Sequence, residues 1–149
     1  TGWNFTTPSL YSPSIPSKDL FAQKAYYSDA KFRWSNGNGT GRIVVMREYD
    51  KPIRYPLNQR TYTANSSFGL GNDLGDGNFV VYKGNLDSAA VTGLTPGKRY
   101  VIAVFEFNEW QDSIKYRQAN PAILALNMLK TGDVIFAGNT LSVSRATYY

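Results

Sequence analysis

The segment Asn72-Asp73-Leu74-Gly75-Asp76-Gly77-Asn78 gathers oxygen-bearing side chains and glycines in a way that invites a calcium site. Ca²⁺ is held by oxygens at set positions of an EF-hand loop. With Asn72 at the first position, Asp76 and Gly77 fill the fifth and sixth. Leu74 then falls on the third and Lys83 on the twelfth, where oxygen ligands are needed. The segment therefore reads as a tight turn closed by Asx hydrogen bonds, with a calcium loop of another kind as the open alternative. No metal or cofactor is assigned. Gly37-Asn38-Gly39-Thr40-Gly41 and Gly69-Leu70-Gly71 lack the strand–loop–helix setting that cradles phosphate, and Gly97-Lys98 continues into Arg99 rather than Ser or Thr. These are turns.

The eleven acidic residues make some close carboxylate pair unavoidable, so proximity alone would not mark a glycosidase. Glu106 shares the strand parity of Tyr100, Ile102 and Val104, which turns it inward. A structural hydrogen bond is the role expected there, not catalysis. The chain has no His and no Cys, which removes Ser-His-Asp and Cys-His nucleophiles, imidazole ligands, disulfides, zinc–thiolate sites and iron–sulfur clusters. No enzymatic activity is expected. The balance of 16 Lys and Arg against 11 Asp and Glu leaves +5. The cations are scattered as Lys31 and Arg33, Arg42 and Arg47, Lys51 and Arg54, Lys98 and Arg99, Lys115 and Arg117. That is a solvated surface leaning toward anionic partners such as a glycan coat, without a specific nucleic-acid stripe.

The elements that must position these residues are mostly strands. A length of 149 residues suits one domain with arms, and 13 Gly with 7 Pro favour short strands over long helices. Residues 1–17 are uncharged and hold Pro8, Pro13 and Pro16 among Trp3, Phe5, Leu10, Tyr11 and Ile15. This is an extended arm. Its aromatic residues give it two destinations, its own domain or a neighbouring chain. Ala30, Phe32 and Trp34 alternate with Lys31, Arg33 and Ser35, a strand with one apolar face. Ile43-Val44-Val45-Met46 is apolar on both faces and hence central, whereas residues 53–78 are irregular and turn-rich.

Further strands are read at Phe79–Lys83, Ala89–Thr92 and Arg99–Phe107, and at 122–129, where context decides against a helix. Val134-Ile135-Phe136 and Leu141-Ser142-Val143 flank Gly138-Asn139 as a last hairpin. About seven or more short strands without a convincing helix point to an all-β sandwich. No apolar stretch reaches the length of a membrane span. The chain opens on Thr1 and its first Met is Met46, which leaves a trimmed initiator and a removed leader as alternatives. Sequons at Asn4, Asn38 and Asn65 matter only on a eukaryotic secretory route.

Trp34 followed by Asn36-Gly37-Asn38-Gly39-Thr40-Gly41-Arg42-Ile43-Val44-Val45 resembles the B–C region of a bacterial fibronectin type III domain. So do Thr61-Tyr62-Thr63-Ala64-Asn65, Phe68-Gly69, Leu74-Gly75-Asp76-Gly77-Asn78 and Phe79-Val80-Val81-Tyr82. Leu94-Thr95-Pro96-Gly97 with Tyr100 resembles the turn and tyrosine corner before strand F, and Glu106-Phe107-Asn108 the end of that strand. The resemblance covers about residues 18–132. It implies an immunoglobulin-like β-sandwich whose core includes Trp34, Leu94 and Tyr100, flanked by the arm at 1–17 and a hairpin or arm at 133–149.

The flanks are where this chain departs from a generic module. The expected function is a non-catalytic structural subunit of an extracellular assembly, a virion decoration or a secreted cell-surface structure. It would contact protein partners, including copies of itself, through Trp3, Phe5, Tyr11, Trp110, Tyr116, Val134 and Phe136. The alternative is an adhesion module that binds carbohydrate or another surface ligand through exposed Trp3, Trp110, on the loop after the F-like strand, and Tyr116.

Overall fold

The computed structural model describes residues 10–136 and 139–143, the last two strands by backbone alone. The strands in chain order are β1 (Lys18–Ala25), β2 (Ala30–Ser35), β3 (Gly41–Glu48), β4 (Phe79–Gly84), β5 (Ser88–Val91), β6 (Arg99–Trp110), β7 (Ser113–Tyr116), β8 (Ala122–Asn127), β9 (Val134–Phe136) and β10 (Asn139–Val143). There is no helix among the described residues.

Two sheets face each other. The smaller has the order β1-β2-β5, with Phe32 opposite Ala22 on one side and Ala89 on the other. The larger runs β4-β3-β6, and β6 pairs with β8 along its first half and with β7 along its second. β7 and β8 are one edge interrupted by residues 117–121, where Asn120 has φ +52° and Pro121 supplies no amide hydrogen. β9 and β10 form a separate antiparallel pair.

The sandwich interior holds Phe32, Trp34, Val44, Met46, Val91, Leu94, Tyr100, Ile102 and Val104. Alternation in β2 produces this: its odd residues face solvent and its even ones face β3 and β6. Tyr100 closes a corner, accepting a hydrogen bond from Thr95 N–H at 2.9 Å. The turn that allows it needs Gly97, which sits at φ +77°.

β3 is buried on both faces because the large sheet has a second core on its outer side. Ile43, Val45, Val80, Ala103, Phe105, Phe107, Ile114 and Tyr116 pack there beneath Tyr62, Ala64 and Leu74 of the long β3–β4 connection. That connection, 49–78, contains no strand, yet it covers the sheet as a third layer. β1 and β7 were not expected from the sequence. β1 carries three charges and a bulge, and its half-buried pattern hides the period of two. β7 is only four residues long.

Candidate interaction surface

One end of the sandwich is assembled around Glu106. Its strand parity does turn it inward, and it is 1% exposed. Its carboxylate accepts hydrogen bonds from Arg42 Nε at 2.8 Å, Gly37 N–H at 2.9 Å, Gly39 N–H at 2.8 Å and the Ser17 hydroxyl. Arg42 in turn donates to Asn85 O at 3.1 Å and Gly39 O at 3.0 Å. The arm, the β2–β3 loop, the start of β3 and β6 are thus tied at one carboxylate, and Arg42 extends the knot to the β4–β5 turn. Burial works against ionisation of Glu106, but the donors around it outweigh that and hold its pKa below the usual carboxylate value. A carboxylate so saturated, with neither exposure nor a proton to give, holds segments together and is not placed to react.

The loop fits this arrangement only because it is glycine-rich. A Cβ on Gly39 would lie 2.5 Å from Phe107 O and 2.8 Å from Glu106 Oε1, and one on Gly37 would strike Ile15 O.

The arm lies on the same end. Ile15 N–H donates to Asn38 Oδ1 at 2.9 Å, and Asn38 Nδ2 donates to Ser14 Oγ at 2.8 Å. Asn108 Nδ2 donates to Tyr11 O at 2.8 Å and Arg117 Nη1 to Pro13 O at 3.3 Å. Pro13 and Ser17 are buried, so residues 11–17 rest on their own domain. The side chains left facing outward here are Tyr11, 75% exposed, Ile15, and Trp110, 61% exposed. Beside them an open groove of about 500 Å³ is edged by Thr40, Lys83, Asn85, Phe107 and Glu109, with Lys83 Nζ 3.8 Å from Glu109 Oε2.

Trp34, Leu94 and Tyr100 are buried in the interior between the sheets. Trp110 is exposed but ends β6, paired with Ser113, instead of lying on a loop after it. Tyr116 is not a surface residue. It is 2% exposed, its ring packs 5.9 Å from Phe107, and its hydroxyl donates to Arg60 O at 2.7 Å. The third layer over the large sheet buries it, and no local pattern around Tyr116 announces that layer. Burial also raises its pKa above the usual tyrosine value. Trp3 and Phe5 lie outside the described residues, as do the side chains of Val134 and Phe136, which sit on β9.

In the loop that resembled a calcium site, Asp73 Oδ1 accepts from Gly75 N–H at 2.8 Å and Asn78 N–H at 3.0 Å. Asp76 pairs with Arg54. The loop's carboxylates are occupied by the protein itself. Sequence reasoning did not find Arg42 or Ser17 as partners of Glu106. The available signal was a charged residue opening the wholly apolar run of β3.

No family model and no curated protein matches the chain. Among solved structures, it is similar to the fibronectin type III domain of human fibronectin type III domain containing protein 3. That match is 18% identical over 85% of this chain and 93% of that one, with a TM-score of 0.50. A computationally redesigned β-sandwich protein matches at 16% identity over 78% of this chain and 96% of its own, with a TM-score of 0.51. The chain has the fibronectin type III fold. Among the described residues no helix is long and apolar enough to cross a membrane.

Proposed function

We propose that the chain is a non-catalytic β-sandwich subunit of an extracellular assembly, a virion decoration or a cell-surface structure, and that it meets protein neighbours through its arm-bearing end. The observation that carries this reading is the knot at Glu106. Five separate segments are held through Glu106 and Arg42 by buried and part-buried charge-assisted hydrogen bonds, and the surface they create presents Tyr11, Ile15 and Trp110 to solvent. Exposed aromatic side chains on a fixed frame lose little conformational entropy on binding, which is what a contact surface requires. Trp3 and Phe5 of the arm and Val134 and Phe136 of the hairpin belong to the same proposal.

A photo-crosslinking residue in place of Trp110, and in a second variant in place of the exposed Tyr49, tests it on particles or envelopes from the native source. A defined partner joined from position 110 and not from 49 is expected. A monomer that gives no adduct from either position, with both ends open to protease, would sink the proposal. The alternative, a carbohydrate-binding adhesion module, draws on Trp110 and the groove edged by Thr40, Asn85 and Glu109. Unchanged glycan-array signal after Trp110→Ala eliminates it.

A further inference from the structure

Two Asn-Gly steps, Asn36-Gly37 and Asn38-Gly39, follow one another in the loop between β2 and β3, and both Asn residues are exposed to water. Asn-Gly is chemically fragile because glycine has no Cβ to hinder its amide nitrogen from reaching the Cγ of the preceding Asn. The glycine N–H first gives its proton to base. The nitrogen then bonds to Cγ, the bond from Cγ to the side-chain nitrogen breaks, and that nitrogen leaves as ammonia. Water opens the resulting succinimide at either carbonyl to give Asp or isoaspartate. The net reaction consumes one water and releases one ammonia per site.

In this fold the attacking nitrogens are both engaged by one carboxylate. Gly37 N–H donates to Glu106 Oε2 at 2.9 Å and Gly39 N–H to Glu106 Oε1 at 2.8 Å. A negative charge at that range stabilises the protonated amide and opposes the amide anion that the reaction needs. The side chains under attack are also tied. Asn36 Oδ1 accepts from Trp34 Nε1 at 2.8 Å, and Asn38 bridges Ile15 N–H and Ser14 Oγ. The arm's Ser17 hydroxyl and Arg42 seat the carboxylate itself.

We propose that Asn36 and Asn38 are spontaneous deamidation sites guarded by Glu106, and that the guard holds only while the arm is docked. Departure of Ser14–Ser17 frees the Asn38 side chain and removes the hydroxyl that helps to seat Glu106. Conversion of Asn38 then deletes the Nδ2 donor to Ser14. Formation of isoaspartate lengthens the backbone where Asn38 N–H meets Ile15 O at 3.3 Å. An arm that leaves for long enough therefore loses part of its seat in one direction only. The inference does not depend on what the chain's partner is.

Trypsin releases Trp34–Arg42 as one peptide that carries both sites, so peptide mass mapping reads the conversion directly. The full chain is aged at mildly alkaline pH, folded and in urea, beside Ser17→Ala and Glu106→Gln, with folding of each variant checked by circular dichroism. Folded wild type should convert at least about tenfold more slowly than the unfolded chain, the factor that one pKa unit on the attacking amide supplies. Folded Ser17→Ala and Glu106→Gln should convert measurably faster than folded wild type. Equal rates for folded and unfolded wild type would overturn the proposal. So would a folded Ser17→Ala that ages at the wild-type rate, and this variant decides the matter if Glu106→Gln does not fold.

Discussion

On the inner face of the large sheet, Val44, Met46, Tyr100, Ile102 and Val104 meet another sheet. On its outer face, Ile43, Val45, Ala103, Phe105 and Phe107 meet a stretch of chain with no strand in it. Ladders satisfy the backbone on both sides of the inner core. The outer layer lacks ladders; single backbone bonds such as Gln59 N–H to Ile114 O at 2.9 Å and Asn65 N–H to Val80 O at 3.1 Å tie it down, and side chains add the rest. Tyr116 N–H donates to Asn58 Oδ1 at 2.8 Å, Ile114 N–H to Gln59 Oε1 at 2.9 Å, and Thr63 N–H to Asn72 Oδ1 at 2.7 Å. Asn78, itself buried, links Pro52, Arg54 and Gly75. An irregular segment can bury a sheet when amide side chains replace the missing ladder.

Truncation of the two cores is the strongest way to break this comparison. Trp34→Ala, in the inner core, should cost about 3–5 kcal/mol in urea unfolding. Phe105→Ala, in the outer one, should cost a similar amount if the third layer belongs to the same cooperative unit. A Phe105→Ala loss well below 2 kcal/mol would show that the layer opens independently.

Next comes Glu106→Gln, which leaves the Arg42 guanidinium buried without its counter-charge, at about 3 kcal/mol. The pH dependence sharpens the assignment. The Glu106 pKa is lower folded than unfolded, so the unfolded chain binds the proton more readily and this stabilisation is fully present above the ordinary carboxylate value near 4.3. It is lost as the pH falls through the depressed folded value. The difference in urea midpoint between wild type and Glu106→Gln should therefore be flat toward neutral pH and shrink below about pH 4.

Smaller effects test the outer layer alone. Tyr116→Phe deletes the hydroxyl that donates to Arg60 O and should cost about 1 kcal/mol, leaving that carbonyl unpaired. Arg54→Ala removes an ion pair whose side chains are 52% and 43% exposed, and should change stability by no more than about 0.5 kcal/mol. A larger loss there would mean that the pair pins the layer in place.

The inner core was legible because it follows local rules. The alternation of Phe32 and Trp34, the Leu94–Gly97 turn before Tyr100, and the two-sided apolar run Ile43–Met46 are readable within short windows. Glu106 was legible as an inward carboxylate for the same reason. Its partners were not, since Ser17 and Glu106 lie 89 residues apart and Arg42 and Glu106 lie 64 apart. Tyr116 was misplaced on the surface because what covers it comes from Arg60 and Tyr62, far off in sequence.

Sequence alone determined the all-β class, the central strands, the glycine loop and the absence of imidazole and thiol chemistry, because strand period, turn residues and composition act locally. Tertiary structure alone decided that residues 53–78 roof the large sheet and that the arm's residues 11–17 seat on Asn38, Glu106, Asn108 and Arg117. Those outcomes rest on hydrogen bonds and apolar contacts between segments that only the folded topology brings together, and no pattern within either segment encodes its partner.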